Sequence, residues 1–493
     1  MGIVSKQAST ATALSYIGVV IGFVNVTLLM TQLFSKEEFG LREILLNVAV
    51  FTSQIAHLGT YRSLVKFFPF FNEGKHDNGL LSIGLIVPFV GFLISLLLIL
   101  LFKSSIVNFY IDKSPLFIEY FWFSIPLIFL LMYNNVFESY LQSRSNTAYS
   151  AFLKNVFNRL VITLLLICYF FKWIDFYWFI VLFVFSYAIN IVLFVLYLIK
   201  RNEFSLKLNK LKFTKRVRKV YYNYSAFSIL SGASSVLVNK VDALMIAGFL
   251  GLASTAIYAN AVYLCILIII PSDAIGKIAM PLLAKSWKEK RYDKIDELYK
   301  KSSLSQFLFG GAIFVLMWGS IDNFFALQGN GYSEGKMVFL ILAISKLINM
   351  IFGVNGQIIS VSKYYRFDTT TAILLGFLTI LTNYIFIPIW HVEGAAFATA
   401  LTIVVFNLIR FLFVLVKLKL QPFTIQTFYV VLILGITMLI NEFLPHVGNI
   451  YLDTIYRSLI IALLIFTPTY FLKVSEDFNL IVNQYTSKLR AKK

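Results

Sequence analysis

Apolar residues occur along the chain in fourteen long runs, which are separated by short polar segments. A transmembrane helix needs about 20 mostly apolar residues, and only helices or closed barrels satisfy every backbone group in lipid. The runs are too long and too continuous for barrel strands. The pattern therefore predicts an all-α integral membrane protein with about fourteen transmembrane helices. They fall near 10–33, 38–61, 80–102, 116–139, 150–171, 177–199, 224–248, 251–275, 303–325, 336–360, 367–388, 393–416, 424–443 and 455–473.

Composition supports this interpretation. Hydrophobic residues make up 59% of the 493 residues and charged residues only 14%, whereas soluble domains have roughly 45–50% and 25%. Such a chain needs membrane lipids as its solvent. The net charge of +19 would suggest nucleic acid in a soluble protein. Here the positive residues lie in short loops between apolar runs, so we expect no nucleic-acid partner.

The distribution of lysine and arginine predicts the orientation. Basic residues are concentrated in 200–222, in 277–302 and in the C-terminal tail, whereas 326–335, 389–392 and 444–454 contain no lysine or arginine. Because cytoplasmic loops carry the excess of positive charge, both termini are expected to be cytoplasmic. An even number of spans agrees with that arrangement.

The most basic connection follows the sixth run and divides the chain into two lobes. We expect an N-lobe at 1–199, a basic cytoplasmic linker at 200–223 and a C-lobe at 224–416, followed by two further helices at 417–473 and a basic cytoplasmic tail at 474–493. Six spans per lobe give both lobes the same orientation, as in a parallel pseudo-repeat.

A weak internal similarity supports the repeat. Moving the first lobe by 219 positions places Leu64 and Lys66 on Leu283 and Lys285, and it places Lys75 and Asp77 on Lys294 and Asp296. The charged segment 283–302 is either an amphipathic helix on the cytoplasmic membrane surface or a solvated connector.

No motif for enzymatic chemistry stands out. The sequence has no phosphate-binding loop, nucleophile elbow or zinc-binding helix motif. Cys168 and Cys265 lie inside apolar runs, and the four histidines are scattered. We therefore expect a protein that is not an enzyme, with no catalytic residues, no metal and no cofactor.

Charged residues inside the apolar runs are the main functional signal. Charges in lipid are costly and usually face a cavity or a partner. The deepest are Arg159, Lys240, Asp242 and Lys346. The excess of cations suits an anionic head group such as a phosphate or diphosphate. Arg159, Lys240 and Lys346 are therefore candidate substrate-binding residues, and the alternative is that they form buried pairs that fix helix packing.

Three further charges, Arg42, Glu138 and Arg410, lie nearer the ends of the runs, where a long side chain can reach the interface. Arg42 is accordingly either an interfacial residue or a fourth binding candidate. Lys240 and Asp242 lie about 200° apart around a helix, so each needs a partner elsewhere. Asp242 is a candidate for binding a coupling ion. Polar residues that either line the same cavity or form interhelical hydrogen bonds are Asn25, Gln32, Asn47, Gln54, Asn134, Asn135, Asn349, Asn355, Gln357, Asn383 and Asn407.

Three stretches resemble the polysaccharide and O-antigen flippases of the multidrug/oligosaccharidyl-lipid/polysaccharide exporter superfamily. LFSKEEFG at 33–40 resembles the (P/K)EE(Y/F)G start of the family's second helix. KVDALMIAGFLG at 240–251 resembles its seventh helix, and EGAAFATA at 393–400 resembles the GAAxAT opening of its twelfth. One departure is the pair Arg42 and Glu43, which stands where many relatives are apolar.

The resemblance implies a transporter of the bacterial inner membrane. Such proteins move undecaprenyl-diphosphate-linked oligosaccharides between leaflets by alternating access of two lobes, often with coupling to H⁺ or Na⁺, and polysaccharide polymerases are expected partners. Three alternatives stay open at this point: a multidrug antiporter, a lipid II flippase of the same superfamily, and a scaffold that recruits polysaccharide-synthesis enzymes through the basic loops.

Overall fold

The protein is described by a computed structural model that covers residues 3–71, 79–204, 206, 215–328 and 331–490. Within these residues the ordered elements are helices, and no strand is present. The expectation of an all-α membrane protein is confirmed. The matches proposed for Lys75 and Asp77, part of the linker 200–223 and the last residues of the tail lie outside the described residues.

The first half of the chain forms seven long helices. The first, α1, includes a π-helical turn at Val24–Met30, and α6 includes another at Phe152–Phe157. The helices are α1 (Ser9–Leu33), α2 (Lys36–Ala56), α3 (Thr60–Phe71), α4 (Leu80–Leu101), α5 (Ser124–Ser143), α6 (Thr147–Phe170) and α7 (Phe176–Lys200).

The second half of the described chain contains nine helices that are labelled below, several of them bent, and a further short helix at Ile321–Gln328. α8 is bent by 44°, and α11 and α12 meet at 51°. The helices are α8 (Lys215–Phe249), α9 (Leu252–Lys288), α10 (Tyr292–Gly319), α11 (Lys336–Ile351), α12 (Asn355–Val361), α13 (Tyr365–Leu418), α14 (Ile425–Glu442), α15 (Ile450–Phe471) and α16 (Glu476–Arg490).

Ten helices of the described chain are long and apolar enough to cross a membrane, and twelve are if each bent pair counts as one span. Two features separate this number from fourteen. Helix α13 contains a break at Trp390 and His391, where the backbone leaves the helical region. Helix α2 has 21 residues but carries five charges in its first eight positions. The count of fourteen stays a prediction.

Local sequence explains where α2 begins and how closely it packs. The Ser35 side chain accepts a hydrogen bond from the Glu38 backbone N–H, and the Glu38 carboxylate accepts one from the Ser35 N–H, which is a capping box. A Cβ atom on Gly40 would lie 2.0 Å from the Leu252 carbonyl oxygen. Only glycine therefore allows this approach of α2 to the start of α9.

The chain divides into two compact units. Unit 1 comprises residues 1–260 and 375–395, and unit 2 comprises residues 261–374 and 396–493. These units are defined by packing, whereas the lobes expected from the sequence are defined by the order of spans. The lobe boundaries stay a prediction.

Two local expectations are corrected. The run 38–61 ends as a helix at Ala56, because Leu58 and Gly59 adopt positive φ in a turn. The segment 283–302 is not one surface helix. It consists of the end of α9 and the start of α10, joined by a turn, and Ile295 and Tyr299 are buried in unit 2 against Val354 and Ile358. The expected tail contains helix α16.

Candidate functional site

Unit 1 contains a buried ion pair near the start of α2. Arg42 and Glu43 are 4% and 2% exposed, and their side chains form an ion pair between Nη1 and Oε1. The Arg42 guanidinium lies 4.9 Å from the centre of the Phe183 ring on α7. The expectation that Arg42 reaches the membrane interface is wrong, because the side chain is enclosed by helices.

Lys240 on α8 faces the same pair. Helices α2 and α8 pack along each other, and Lys240 lies within electrostatic range of both Glu43 and Arg42. Among the described residues, no carboxylate forms an ion pair with Lys240 within 4.0 Å. Lys240 is therefore a cation influenced by Glu43 at longer range without being neutralised by direct contact.

Arg159 on α6 is held against α1. A Cβ atom on Gly22 would lie 2.8 Å from the Arg159 guanidinium, so the absence of a side chain there makes room for the cation. The Asn25 amide donates to the Arg159 carbonyl oxygen at 2.9 Å and accepts from the Thr163 hydroxyl at 2.8 Å. Asn25 lies within the π-helical turn of α1, and such turns frequently occur at functional sites.

These residues form one electrostatic group, which we call the cationic cluster: Arg42, Arg159 and Lys240 with Glu43. The Tyr187 side chain on α7 lies within electrostatic range of Arg42, Glu43 and Arg159. Three cations and one carboxylate give a net charge of two positive units. Three of the four binding candidates therefore belong to unit 1, whereas Lys346 belongs to unit 2.

Asp242 lies two residues beyond Lys240 and has separate partners, as the helical geometry predicted. It is 3% exposed. Its carboxylate accepts hydrogen bonds from the Tyr258 hydroxyl and the Asn383 amide, each at 2.6 Å. Within the described chain, the Asn383 side-chain oxygen is buried without a hydrogen-bond partner. A carboxylate and an unused amide oxygen thus lie on neighbouring residues of unit 1.

In unit 2, Lys346 on α11 has an anionic neighbour that the sequence analysis did not identify. Asp273 on α9 lies within electrostatic range of both Lys277 and Lys346. The adjacent Ser272 hydroxyl donates to the Gln306 amide oxygen at 3.2 Å. Asp273 lies within the apolar run 251–275, and a charged residue in such a run is the sequence signal that could have identified it.

Several amides form the interhelical hydrogen bonds that were one of the two expected roles. Asn355 donates to Asn407 at 3.3 Å, and Asn407 donates to Asn349 at 3.0 Å, which joins α12, α13 and α11. Asn134 donates to the Tyr187 carbonyl oxygen at 2.9 Å. For these residues and for Asn25, this expectation is confirmed.

A second set of buried charges, which the sequence analysis missed, lies in unit 2. In this Arg457 network, the Arg457 guanidinium donates to Asp453 at 2.9 Å, to Asn441 at 3.1 and 3.2 Å, and to the Leu444 carbonyl at 2.9 Å. Asp453 also accepts from Asn323 at 2.6 Å and from the Val447 N–H at 2.8 Å. The network joins α15 to the preceding loop and to the short helix Ile321–Gln328, which contains Asn323.

The fold resembles that of solved membrane transporters of the MOP superfamily. Three solved structures share this fold, and in each of them the match covers nearly the whole length of the solved chain. The first is a lipid II flippase, MurJ, in an inward closed conformation, with a TM-score of 0.73 and 14% identity over 94% of this chain and 99% of that chain. The second is an inward-facing multidrug resistance MATE transporter, with a TM-score of 0.59 and 14% identity over 84% of this chain and 98% of that chain. The third is a MOP-superfamily transporter from Pyrococcus furiosus, with a TM-score of 0.52 and 12% identity over 85% of this chain and 95% of that chain.

The family is shown by sequence. The family model described as polysaccharide biosynthesis protein matches residues 4–287, which is more than half of the chain and includes every residue of the cationic cluster. No curated protein matches the chain. The chain belongs to the polysaccharide biosynthesis protein family. The first two motifs of the resemblance lie inside the matched region, and the third, at 393–400, lies beyond it.

Proposed function

We propose that this chain translocates an undecaprenyl-diphosphate-linked oligosaccharide, the repeat unit of O-antigen or another surface polysaccharide, across the bacterial inner membrane. The observation that carries the proposal is the cationic cluster of unit 1, where two arginines and a lysine are drawn together with one carboxylate. Cations drawn together in this way suit a diphosphate, because Arg provides a planar fork of donors and Lys a compact charge.

In the proposed mechanism, Arg42, Arg159 and Lys240 hold the diphosphate, and Lys346 is a further binding residue for the diphosphate or for acidic sugars. The polyprenyl chain stays in lipid. Alternating access of the two lobes then exposes the substrate to one leaflet after the other. Both termini are proposed to be cytoplasmic, and polysaccharide polymerases are the proposed partners.

The test begins with deletion of the gene in its host. We expect undecaprenyl-diphosphate oligosaccharide to accumulate in the inner leaflet while surface polysaccharide disappears. Complementation with Lys240→Ala or Arg159→Ala should fail, although both proteins reach the membrane in normal amounts. Lys285→Ala is the matched control, since Lys285 is an exposed cation 3.9 Å from Glu289, and surface pairs contribute little.

Two outcomes would contradict this substrate. Unchanged polysaccharide and precursors would favour a multidrug antiporter, and drug resistance on overexpression would strengthen that alternative. Accumulation of lipid II with loss of viability in every growth condition would point to lipid II. Full activity of both charge variants would show that the cationic cluster is not the binding site.

We further propose that Asp242 couples transport to an ion gradient. Intramembrane carboxylates commonly serve proton relays or cation sites. The support is the carboxylate with its two short hydrogen bonds beside the unpartnered Asn383 oxygen. Transport by Asp242→Asn in vesicles should no longer respond to an imposed H⁺ or Na⁺ gradient, and wild-type protein identifies the ion. An unchanged gradient response would exclude Asp242.

A further inference from the structure

Glu43 is the only carboxylate among the residues of the cationic cluster. It is 2% exposed, pairs with Arg42, and lies within electrostatic range of Lys240. Consecutive residues on a helix do not ordinarily face each other. The contact between Arg42 and Glu43 is therefore made by two side chains that bend towards each other.

Without substrate, three cations in a region of low dielectric repel one another and lose hydration. Glu43 offsets part of this cost, because its charge lies against Arg42. An incoming diphosphate brings negative charge to the same cations, and it competes with Glu43 for Arg42.

We propose that Glu43 is an internal counter-anion that occupies Arg42 until the anionic head group of the substrate displaces it, and that it returns to expel the head group on release. This inference rests on the proposed function and adds a residue that controls the strength of binding. A transport site must bind its substrate firmly enough to capture it and weakly enough to release it. Glu43 sets that balance.

The test uses Glu43→Gln, which keeps the size of the side chain and removes its charge. The probe is inorganic pyrophosphate, and its binding to the full-length protein in lipid nanodiscs is measured by calorimetry. Removing one competing charge should strengthen binding by about tenfold, whereas transport in cells should fall because release is slow. Glu43→Asp retains the charge and should bind with nearly wild-type affinity.

A purely structural role gives a different result. In that case Glu43→Gln would lose thermal stability and transport together, without tighter binding of pyrophosphate. Unchanged or weaker affinity in a folded Glu43→Gln protein would overturn the proposal. Glu289→Gln provides the control, because it removes the same negative charge at an exposed position.

If Glu43→Gln does not fold, infrared difference spectroscopy tests the proposal on the wild-type protein and on Glu43→Asp. Pyrophosphate should change a carboxylate stretching band as Glu43 leaves Arg42, and the band should move in Glu43→Asp. A difference spectrum without a carboxylate band, or with a band that is identical in both proteins, would contradict displacement.

The failure of this inference is distinguishable from failure of the proposed function. If deletion of the gene leaves polysaccharide unaffected but Glu43→Gln binds pyrophosphate more tightly, the substrate is wrong and the role of Glu43 stands. If deletion blocks export but Glu43→Gln binds pyrophosphate like the wild type, the function stands and the counter-anion is wrong.

Discussion

The Arg457 network and the cationic cluster both place charged side chains where most solvent is excluded, one in each compact unit. The side chains of Arg457 and Asp453 are 4% and 1% exposed, and those of Arg42 and Glu43 are 4% and 2% exposed. In the Arg457 network, all three guanidinium nitrogens donate to oxygens of unit 2, and both Asp453 oxygens accept. The positive charge of Arg457 is balanced by Asp453, and each guanidinium nitrogen and each carboxylate oxygen of the pair takes part in a hydrogen bond.

The cationic cluster has the opposite character. It has two more positive charges than negative ones, and Lys240 has no ion-pair partner in the described chain. Burial alone therefore does not distinguish a structural charge from a functional one. The distinction lies in whether the protein itself neutralises and hydrogen-bonds the charge. The first set fixes a loop, and the second carries excess positive charge, which the substrate diphosphate would neutralise under the proposed function.

The largest expected effect is on Arg457. Arg457→Leu leaves Asp453 buried without its cation, and breaking a buried pair costs about 3–5 kcal/mol. We expect a large drop in melting temperature in detergent and little folded protein in the membrane. The double variant Arg457→Leu with Asp453→Leu should recover part of the loss.

Lys336→Leu is the control for Arg457, because it removes an exposed pair with Asp322 at 2.7 Å and should cost less than about 1 kcal/mol. If Arg457→Leu melts at the same temperature as Lys336→Leu, the Arg457 network does not stabilise the fold. Its contrast with the cationic cluster would then be contradicted.

A second test uses His57, whose hydrogen bonds close only in the neutral form. The fully buried ring accepts from the Gly59 N–H at 3.1 Å, and its other nitrogen lies 3.2 Å from the Gln54 oxygen. Protonation of the ring would set a second N–H against the Gly59 N–H, so the folded chain holds His57 in its neutral form. Below about pH 6.5 the His57 imidazole therefore binds a proton in the unfolded chain but not in the folded chain.

The contribution of His57 to stability is accordingly complete above about pH 6.5, where the unfolded imidazole is also neutral, and it declines as the pH falls below that value, by up to about 1.4 kcal/mol per pH unit. Melting temperatures across this range should decline more steeply for the wild type than for His57→Gln. Equal slopes for the two proteins would show that another group is responsible for the acid sensitivity.

A smaller effect is expected at the start of α2, the helix that carries Arg42 and Glu43. Ser35→Ala removes the side-chain acceptor for the Glu38 N–H, and loss of an N-cap typically costs about 1 kcal/mol. Ser35→Thr keeps the acceptor and should melt close to the wild type. A Ser35→Thr protein as unstable as Ser35→Ala would mean that packing, and not the cap, matters at this position.

The membrane fold follows largely from the apolar runs, because lipid imposes a helical backbone on any run of that length. Helix ends were less predictable. The turn after Ala56 depends on the backbone of Leu58 and Gly59, and hydropathy does not encode it. The extension of α9 to Lys288 depends on burial of Leu283 by tertiary packing.

The candidate site was predictable in one respect. A charge within an apolar run is visible in sequence, which identified Arg159, Lys240 and Lys346. Their neighbours were not identified, since Glu43 and Lys240 lie on different helices, as do Asp273 and Lys346, and each pair interacts only through longer-range electrostatics. Periodicity describes one helix at a time. Arg457 was missed although it lies four residues after Asp453, a spacing that permits a helical pair.

The smallest expected effect on stability, and the one that tests the comparison most directly, is at Lys240. A partly buried cation without direct neutralisation contributes little that is favourable to folding, because no partner replaces the hydration it has lost. Lys240→Met keeps the length of the side chain and removes that cost, so the melting temperature should stay the same or rise. Transport should be lost in the same variant. A Lys240→Met protein that is as unstable as Arg457→Leu would show that the lysine is a structural charge. The cationic cluster and the Arg457 network would then differ in geometry but not in function.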